Sequence, residues 1–168
     1  NLVNEIMTVL NEHELDGVDI DFERPRSTED ANYLDTFIKE LSEQLHPQEK
    51  ELSIAVHSKI NAATLERSDY VQYATTTFEY ADFVNIMAYD GQYDNGYHAE
   101  NLSPFSFTKN VVAYWTELFD KHNLNREKLI LGVPLYAQPE NQSVKQVSYA
   151  TIVSNNPESV VNDSIKMN

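Results

Sequence analysis

A short stretch near the start of the chain carries three carboxylates at alternate positions, Asp19, Asp21 and Glu23. On an extended strand these side chains share one face, with Cα atoms about 7 Å apart. Carboxylates at that spacing repel one another, so the row favours keeping a proton within it. A carboxyl group that is protonated near neutral pH is what general-acid cleavage of a glycosidic bond requires. The row could therefore supply the protonated carboxyl group that such chemistry needs.

Two other interpretations fit the same row. It could be the solvated face of an exposed edge strand, or a site for a hard cation, since carboxylate clusters attract such ions. Against the edge strand, apolar residues alternate with the acids and are expected to pack on helices: Val18, Ile20 and Phe22. A cation site is disfavoured because a nearby strand supplies neither further carboxylates nor paired histidines. At the corresponding positions it carries Asn85, Met87 and Tyr89. We expect no metal and no cofactor.

The composition narrows the classes of partner. The 168 residues include 27 acidic and 12 basic side chains, for a net charge of −15. A nucleic-acid binder needs a basic face, so the substrate is expected to be neutral or cationic. The chain has no cysteine, which excludes disulfides and thiolate metal sites. It opens at Asn1 without a methionine or a signal peptide, and we expect it to be a segment of something longer.

Apolar periodicity predicts helices that alternate with strands. The predicted strands cover 15–23, 51–57, 80–89 and 128–136, and the predicted helices cover 2–10, about 28–45, 64–73, 111–119 and 149–154. This order implies an α/β fold with a parallel sheet, either open or part of a barrel. Polar residues at alternate positions of two strands favour a barrel mouth, because active sites lie at the carboxyl ends of barrel strands.

Three segments resemble glycoside hydrolase family 18, the chitinases and their relatives. Asp16 to Glu23 reads as DxxDxDxE, Val84 to Asp90 ends in Met-x-Tyr-Asp, and Lys128 to Tyr136 contains Gly-x-Pro-x-Tyr. The resemblance implies a parallel (β/α) barrel of the TIM type, of which this chain is about half, strands four to seven. Residues 1–138 would form the partial barrel, and 139–168 would begin an insertion or linker before the eighth strand. The remainder of the barrel is expected from the parent chain.

The resemblance also implies a chemistry. Glu23 would be the general acid/base of a retaining hydrolase that acts on chitin-type oligomers or N-glycan cores, with the N-acetyl group of the substrate as nucleophile. Asp21 would orient that group, Asp19 would share a proton with Asp21, and Tyr89 would donate to the acetamido oxygen. Further substrate-binding residues would be Asp90, Met87 and Tyr136.

The same family also includes lectin-like members without activity, which is the alternative function. Such members usually lack the motif acid, whereas this chain keeps Glu23, Asp21 and Tyr89. The chain departs from many relatives at Phe22, where they carry tryptophan, and at Ala137 and Gln138, where Gly-Arg is frequent. The family implies an extracellular or cell-envelope location. The isolated segment is expected to be oligomeric or partnered, with little hydrolysis.

Overall fold

A computed structural model describes residues 1–155 of the chain. Four parallel strands form one sheet in chain order: β1 Gly17–Ile20, β2 Glu51–His57, β3 Phe83–Met87 and β4 Leu129–Gly132. The helices between and beside them are α1 Leu2–Glu12, α2 Thr28–Leu45, α3 Thr77–Tyr80 and α4 Phe105–Lys121. A two-stranded antiparallel pair, β5 Tyr136–Ala137 and β6 Val147–Ser148, precedes α5 Tyr149–Asn155. Residues 156–168, which the sequence assigns to the insertion, lie outside the described part.

The alternation of β2 shows how the sheet separates its two faces. Leu52, Ile54 and Val56 are buried against the helices, while Ser53 and His57 are half-buried on the opposite face. Successive residues of a strand point to opposite sides, so the parallel register carries this division across the sheet. Asp19 is paired with Ser53, and His57 is paired with Met87. The face away from the helices therefore collects the polar positions.

The helices bury their apolar stripes on the other face of the sheet. Ile38, Leu41 and Leu45 of α2 are fully buried, as are Trp115 and Phe119 of α4. Trp115, the single tryptophan of the chain, therefore belongs to the core. Within residues 1–155, no helix has both the length and the apolar character needed to cross a bilayer.

The strand that carries the acids is shorter than the predicted 15–23. Its pairing with β2 begins at Gly17 and ends at Ile20, and the chain then leaves the sheet toward Pro25, which has no amide hydrogen to donate. Val18 and Ile20 pack against the core as expected. The expectation for Phe22 is wrong: its side chain is 51% exposed, because the strand has ended before it.

The predicted helix over 64–73 is wrong. The Asn61 side chain accepts hydrogen bonds from the backbone amides of Ala63 and Thr64, both at 2.9 Å. Leu65 adopts a left-handed conformation with φ of 61°. These bonds cap a single turn, which the Leu65 amide closes by donating to the Asn61 carbonyl oxygen at 2.8 Å, and the left-handed Leu65 prevents that turn from continuing as a helix. The helical turn appears later, as α3.

Two further strands are shorter than predicted. Tyr80 belongs to α3, so β3 starts at Phe83 rather than at 80. The strand predicted over 128–136 ends at Gly132, and Tyr136 pairs with Ser148 instead. Pro134 interrupts the ladder because it lacks an amide hydrogen. The apolar side chains of this edge are exposed: Ile130, Leu131 and Val133.

The start of α2 yields a prediction about stability. The Ser27 hydroxyl accepts from the Asp30 amide at 3.0 Å, and the Asp30 carboxylate accepts from the Ser27 amide at 3.1 Å, a reciprocal capping box. Ser27→Ala should lower the free energy of unfolding by about 1 kcal/mol, measured by urea denaturation. Ser106→Ala, at an exposed position in the first turn of α4, should change it by less than about 0.5 kcal/mol. Equal effects at the two positions would contradict the capping role.

Candidate active site

The acidic row begins with a carboxylate that is held by two neighbouring strands. The Asp19 carboxylate accepts hydrogen bonds from the Ser53 hydroxyl of β2 and from the Asn85 side-chain amide of β3, the latter at 2.6 Å. Asp19, Ser53 and Asn85 therefore lie on the same face, the one away from the helices. These bonds connect three adjacent strands near one point and fix the direction of the Asp19 side chain.

Asp21 and Glu23 lie beyond the end of β1, in a segment without regular structure. The Glu23 carboxylate approaches the Arg24 guanidinium at 3.7 Å, and the Glu23 carbonyl oxygen accepts from the Tyr73 hydroxyl at 3.2 Å. The side chains of Asp19, Asp21 and Glu23 are all exposed. The face of the sheet that carries the acidic row is therefore open to solvent along this chain.

Tyr89 follows β3 and approaches the same acids. Partial burial raises the pKa of its hydroxyl, and the negative charges of Asp21, Asp90, Glu23 and Asp19 raise it further. The hydroxyl therefore keeps its proton at neutral pH and remains a hydrogen-bond donor.

The position of the Tyr89 ring depends on Gly132 in β4. A Cβ atom at that position would lie 2.9 Å from Cε1 of Tyr89 and 2.8 Å from the Ile86 carbonyl oxygen. Only glycine lets the ring and the edge strand approach this closely, which gives a physical reason for the glycine in the Gly-x-Pro-x-Tyr segment.

Asp90 and Tyr136 form a second pair at this edge. The Tyr136 hydroxyl donates to the Asp90 carboxylate at 2.6 Å, and the Gln92 side-chain amide donates to the same oxygen at 3.2 Å. Asp90 has a φ of 62°, in the left-handed region. Burial and the bond to Asp90 both raise the pKa of Tyr136. Met87 ends β3 beside Gly132. The candidates from β3 onward therefore gather at the carboxyl ends of β3 and β4.

His57, at the carboxyl end of β2, belongs to the same face and is held neutral. Its Nδ1 accepts from the Lys59 amide at 2.9 Å, so the ring proton sits on Nε2, which lies 2.7 Å from the Tyr70 hydroxyl oxygen. Burial lowers the pKa of His57 to about 4, and the positive charges of Lys59 and Arg24 act in the same direction. The neighbouring Tyr73 hydroxyl accepts from the His57 amide at 2.9 Å.

Sequence reasoning missed the residues that support the acids. Ser53 has the same strand parity as Asp19 once the register of β1 and β2 is known, but the sequence alone does not supply that register. Tyr73 fell in the segment wrongly predicted as a helix. Among residues 1–155, no three carboxylate or imidazole groups converge as a metal site would require.

The chain matches a known protein family over nearly its whole length. The family model described as glycosyl hydrolases family 18 matches residues 1–165. Probable chitinase 10 of Drosophila melanogaster is 27% identical over 156 residues, which is 81% of this chain and 6% of that protein.

Solved structures match at the level of the fold. A GH18 chitinase from the chitin utilization locus of Flavobacterium johnsoniae superposes with a TM-score of 0.72 at 29% identity, over 97% of this chain and 48% of that one. A group II chitinase domain of Ostrinia furnacalis, solved as a mutant in complex with penta-N-acetylchitooctaose, superposes with a TM-score of 0.61 at 23% identity, over 87% and 42%. The chain thus spans about half the length of these structures. The expected fold, about half of a parallel TIM-type (β/α) barrel, is confirmed.

The half-buried imidazole of His57 yields a prediction about acid sensitivity. The pKa of His57 is about 4 in the folded protein against an ordinary value of 6.5, so as pH falls from 6.5 the unfolded state takes up a proton that the folded state does not. Stability is therefore lost through this window, by about 3 kcal/mol at pH 4. His57→Asn keeps an acceptor for the Lys59 amide and does not titrate, so it should lack this part of the loss. Urea unfolding at pH 7 and pH 4 measures it, and identical losses in both proteins would contradict it.

Proposed function

The chain belongs to family 18 of the glycosyl hydrolases, and on that premise we propose that it carries the acidic centre of a retaining enzyme that cleaves β-linked N-acetylglucosamine glycans. The observation that carries the proposal is the arrangement around the acidic row. Asp19 is fixed by Ser53 and Asn85, Glu23 follows just beyond the strand end, and the protonated Tyr89 hydroxyl lies within the field of the same carboxylates.

Glu23 is proposed as the general acid/base. Its carboxyl group lies beyond the end of β1 and is exposed, so it can reach a glycosidic oxygen lying across the sheet edge. It donates its proton to the leaving oxygen as the bond to the anomeric carbon breaks. The acetamido carbonyl oxygen of the substrate forms the new bond to that carbon, so no protein nucleophile is needed. Glu23 then takes a proton from the water that opens the cyclic intermediate, and the β configuration is retained.

Asp21 and Asp19 are proposed to support the charged intermediate. Asp21 lies between Asp19 and Glu23 in the row, where its carboxylate can accept the acetamido N–H and balance the positive charge that develops on the ring. Asp19, tied to two strands, holds the base of the row in place and shares a proton with Asp21. Tyr89 donates its hydroxyl to the acetamido oxygen, and the raised pKa of Tyr89 keeps that donor available.

Asp90, Met87 and Tyr136 are proposed to contact the sugar around the cleavage point. The bond from Tyr136 to Asp90 fixes the carboxylate, and its second oxygen can accept from a sugar hydroxyl. Met87 supplies an apolar surface at the strand end, where it is paired with His57 on one side and Gly132 on the other. These roles need only a neutral ligand with hydroxyl groups, which agrees with the net charge of −15.

Chitin-type oligomers are the proposed substrate class, with N-glycan cores as the second possibility within the same chemistry. The relatives named above are chitinases, and one of them was solved with an N-acetylated chitooligosaccharide. A polymer of this kind is met outside the cell, so an extracellular or cell-envelope location is proposed. The stretch from 139 onward is proposed as the start of an insertion, and the rest of the barrel as part of the parent protein.

The function is tested by Glu23→Gln in the full-length gene product that contains this chain. The substitution keeps the shape of the side chain and removes the transferable proton, so turnover of an N-acetylglucosamine oligomer should fall by about 10²–10⁴-fold, with binding largely kept. Glu117→Gln, at an exposed position on α4, is the matched control and should leave turnover unchanged. Retained turnover in Glu23→Gln would assign the acid to another residue.

Two further measurements address the nucleophile and the lectin-like alternative. The first product observed by NMR should have the β configuration, and a glucosamine oligomer, which lacks the acetyl carbonyl, should not be cleaved. Cleavage of both oligomers at similar rates would exclude the acetamido group as nucleophile. Binding by the unmodified protein without any turnover would favour a carbohydrate-binding protein instead.

A further inference from the structure

The backbone that carries Glu23 is held outside the sheet. Pairing between β1 and β2 ends at Ile20, and helix α2 begins only at Thr28. Within the described residues, two bonds from the segment before α3 hold the chain between these points. The Tyr73 hydroxyl donates to the Glu23 carbonyl at 3.2 Å, and the Gln72 amide donates to the Pro25 carbonyl at 2.8 Å.

The Tyr73 hydroxyl connects this segment to the end of β2. Its oxygen accepts from the His57 amide at 2.9 Å while its hydrogen is donated to Glu23. One atom therefore links the last residue of a central strand to the backbone of the proposed acid. Burial raises the pKa of Tyr73, so the proton needed for the second bond stays in place throughout the neutral range.

The ring of Tyr73 is anchored in the core. Its centroid lies 5.9 Å from that of Phe78 and 6.1 Å from that of Trp115, and both of these side chains are fully buried. A ring with such neighbours has little freedom to move, because protein interiors are close-packed. The hydroxyl is thus a fixed point at the rim of a rigid cluster.

We propose that Tyr73 is a positioning residue for Glu23: its hydroxyl sets the height and direction at which the Glu23 backbone leaves β1, and hence where the carboxyl group meets the glycosidic oxygen. The inference rests on the proposed function. It does not make Tyr73 a catalytic residue, since the hydroxyl contacts the Glu23 backbone and not the substrate. A displacement of about 1 Å in a reacting group can lower the rate by up to 10²-fold.

Tyr73→Phe in the full-length gene product tests the proposal, because it removes the hydroxyl and keeps the ring. We expect kcat on an N-acetylglucosamine oligomer to fall about 10-fold or more, with KM within about twofold of the original. Tyr114→Phe is the matched control, since its ring packs edge-on against the same Trp115 at 5.6 Å and it lies on α4. The control should keep kcat. An unchanged kcat in Tyr73→Phe, or equal losses in both variants, would overturn the proposal.

Hydrogen exchange gives a readout that does not depend on activity. Tyr73→Phe should speed exchange at the His57 amide and across residues 21–26, whereas Tyr114→Phe should not. Loss of turnover without faster exchange would overturn the positioning role. If Glu23→Gln keeps turnover while Tyr73→Phe still speeds exchange, the proposed acid fails but the backbone link stands.

A second variant covers the case in which Tyr73→Phe does not fold. Tyrosine fluorinated on its ring keeps the packing, and its hydroxyl ionises at lower pH, where it can no longer donate to Glu23. Incorporated at position 73 and followed by ¹⁹F NMR, the ring should lose its proton over the same pH range in which kcat declines. A kcat that stays constant while the ring titrates would overturn the proposal.

Discussion

The hydrogen bonds that join Asp19 to Ser53 and Asn85 are the interaction on which the site depends. They form because parallel strands present their side chains in register and on alternate faces, so a carboxylate on β1 meets a hydroxyl on β2 and an amide on β3. Asp19 sits on the last well-paired part of β1, one residue before the pairing ends. Asp21 and Glu23 follow beyond the end of this pairing.

Support for the remaining groups comes from two different sources. Tyr89 is placed by strand geometry, since Gly132 of the neighbouring strand leaves room for its ring and no more. Glu23 and Asp90 lie outside the sheet and are held by tyrosine hydroxyls, from Tyr73 and Tyr136 respectively. A phenol suits this task because its ring can be buried while its one polar atom reaches the rim. The site thus combines the rigidity of a parallel sheet with a few hydrogen bonds that orient the loops above it.

Local patterns predicted those parts of the structure that local forces determine. The strand β2 and the helix α2 could be predicted directly, because hydrophobic period is a property of short segments. The stretch 64–73 could not, since the left-handed Leu65 ends the turn that Asn61 caps, and Ile60 pairs with Arg67 in an antiparallel bridge. The pairing of Tyr136 with Ser148 depends on a distant partner. The supporting role of Tyr73 depends on contacts between residues 50 positions apart, and no spacing in the sequence signals it.

The aromatic cluster also makes the chain a convenient optical sensor of its own state. Trp115 is the single tryptophan, it is fully buried, and three other rings besides Tyr73 surround it: Phe78, Tyr114 and Phe119. Its indole emission therefore comes from one apolar environment rather than from an average over several. Water reaching the ring would shift that emission to longer wavelength, and excitation of the adjacent tyrosines would feed it by energy transfer. Opening of the core beneath the acidic segment would thus be detected as a shift in the emission spectrum of Trp115, without any added label.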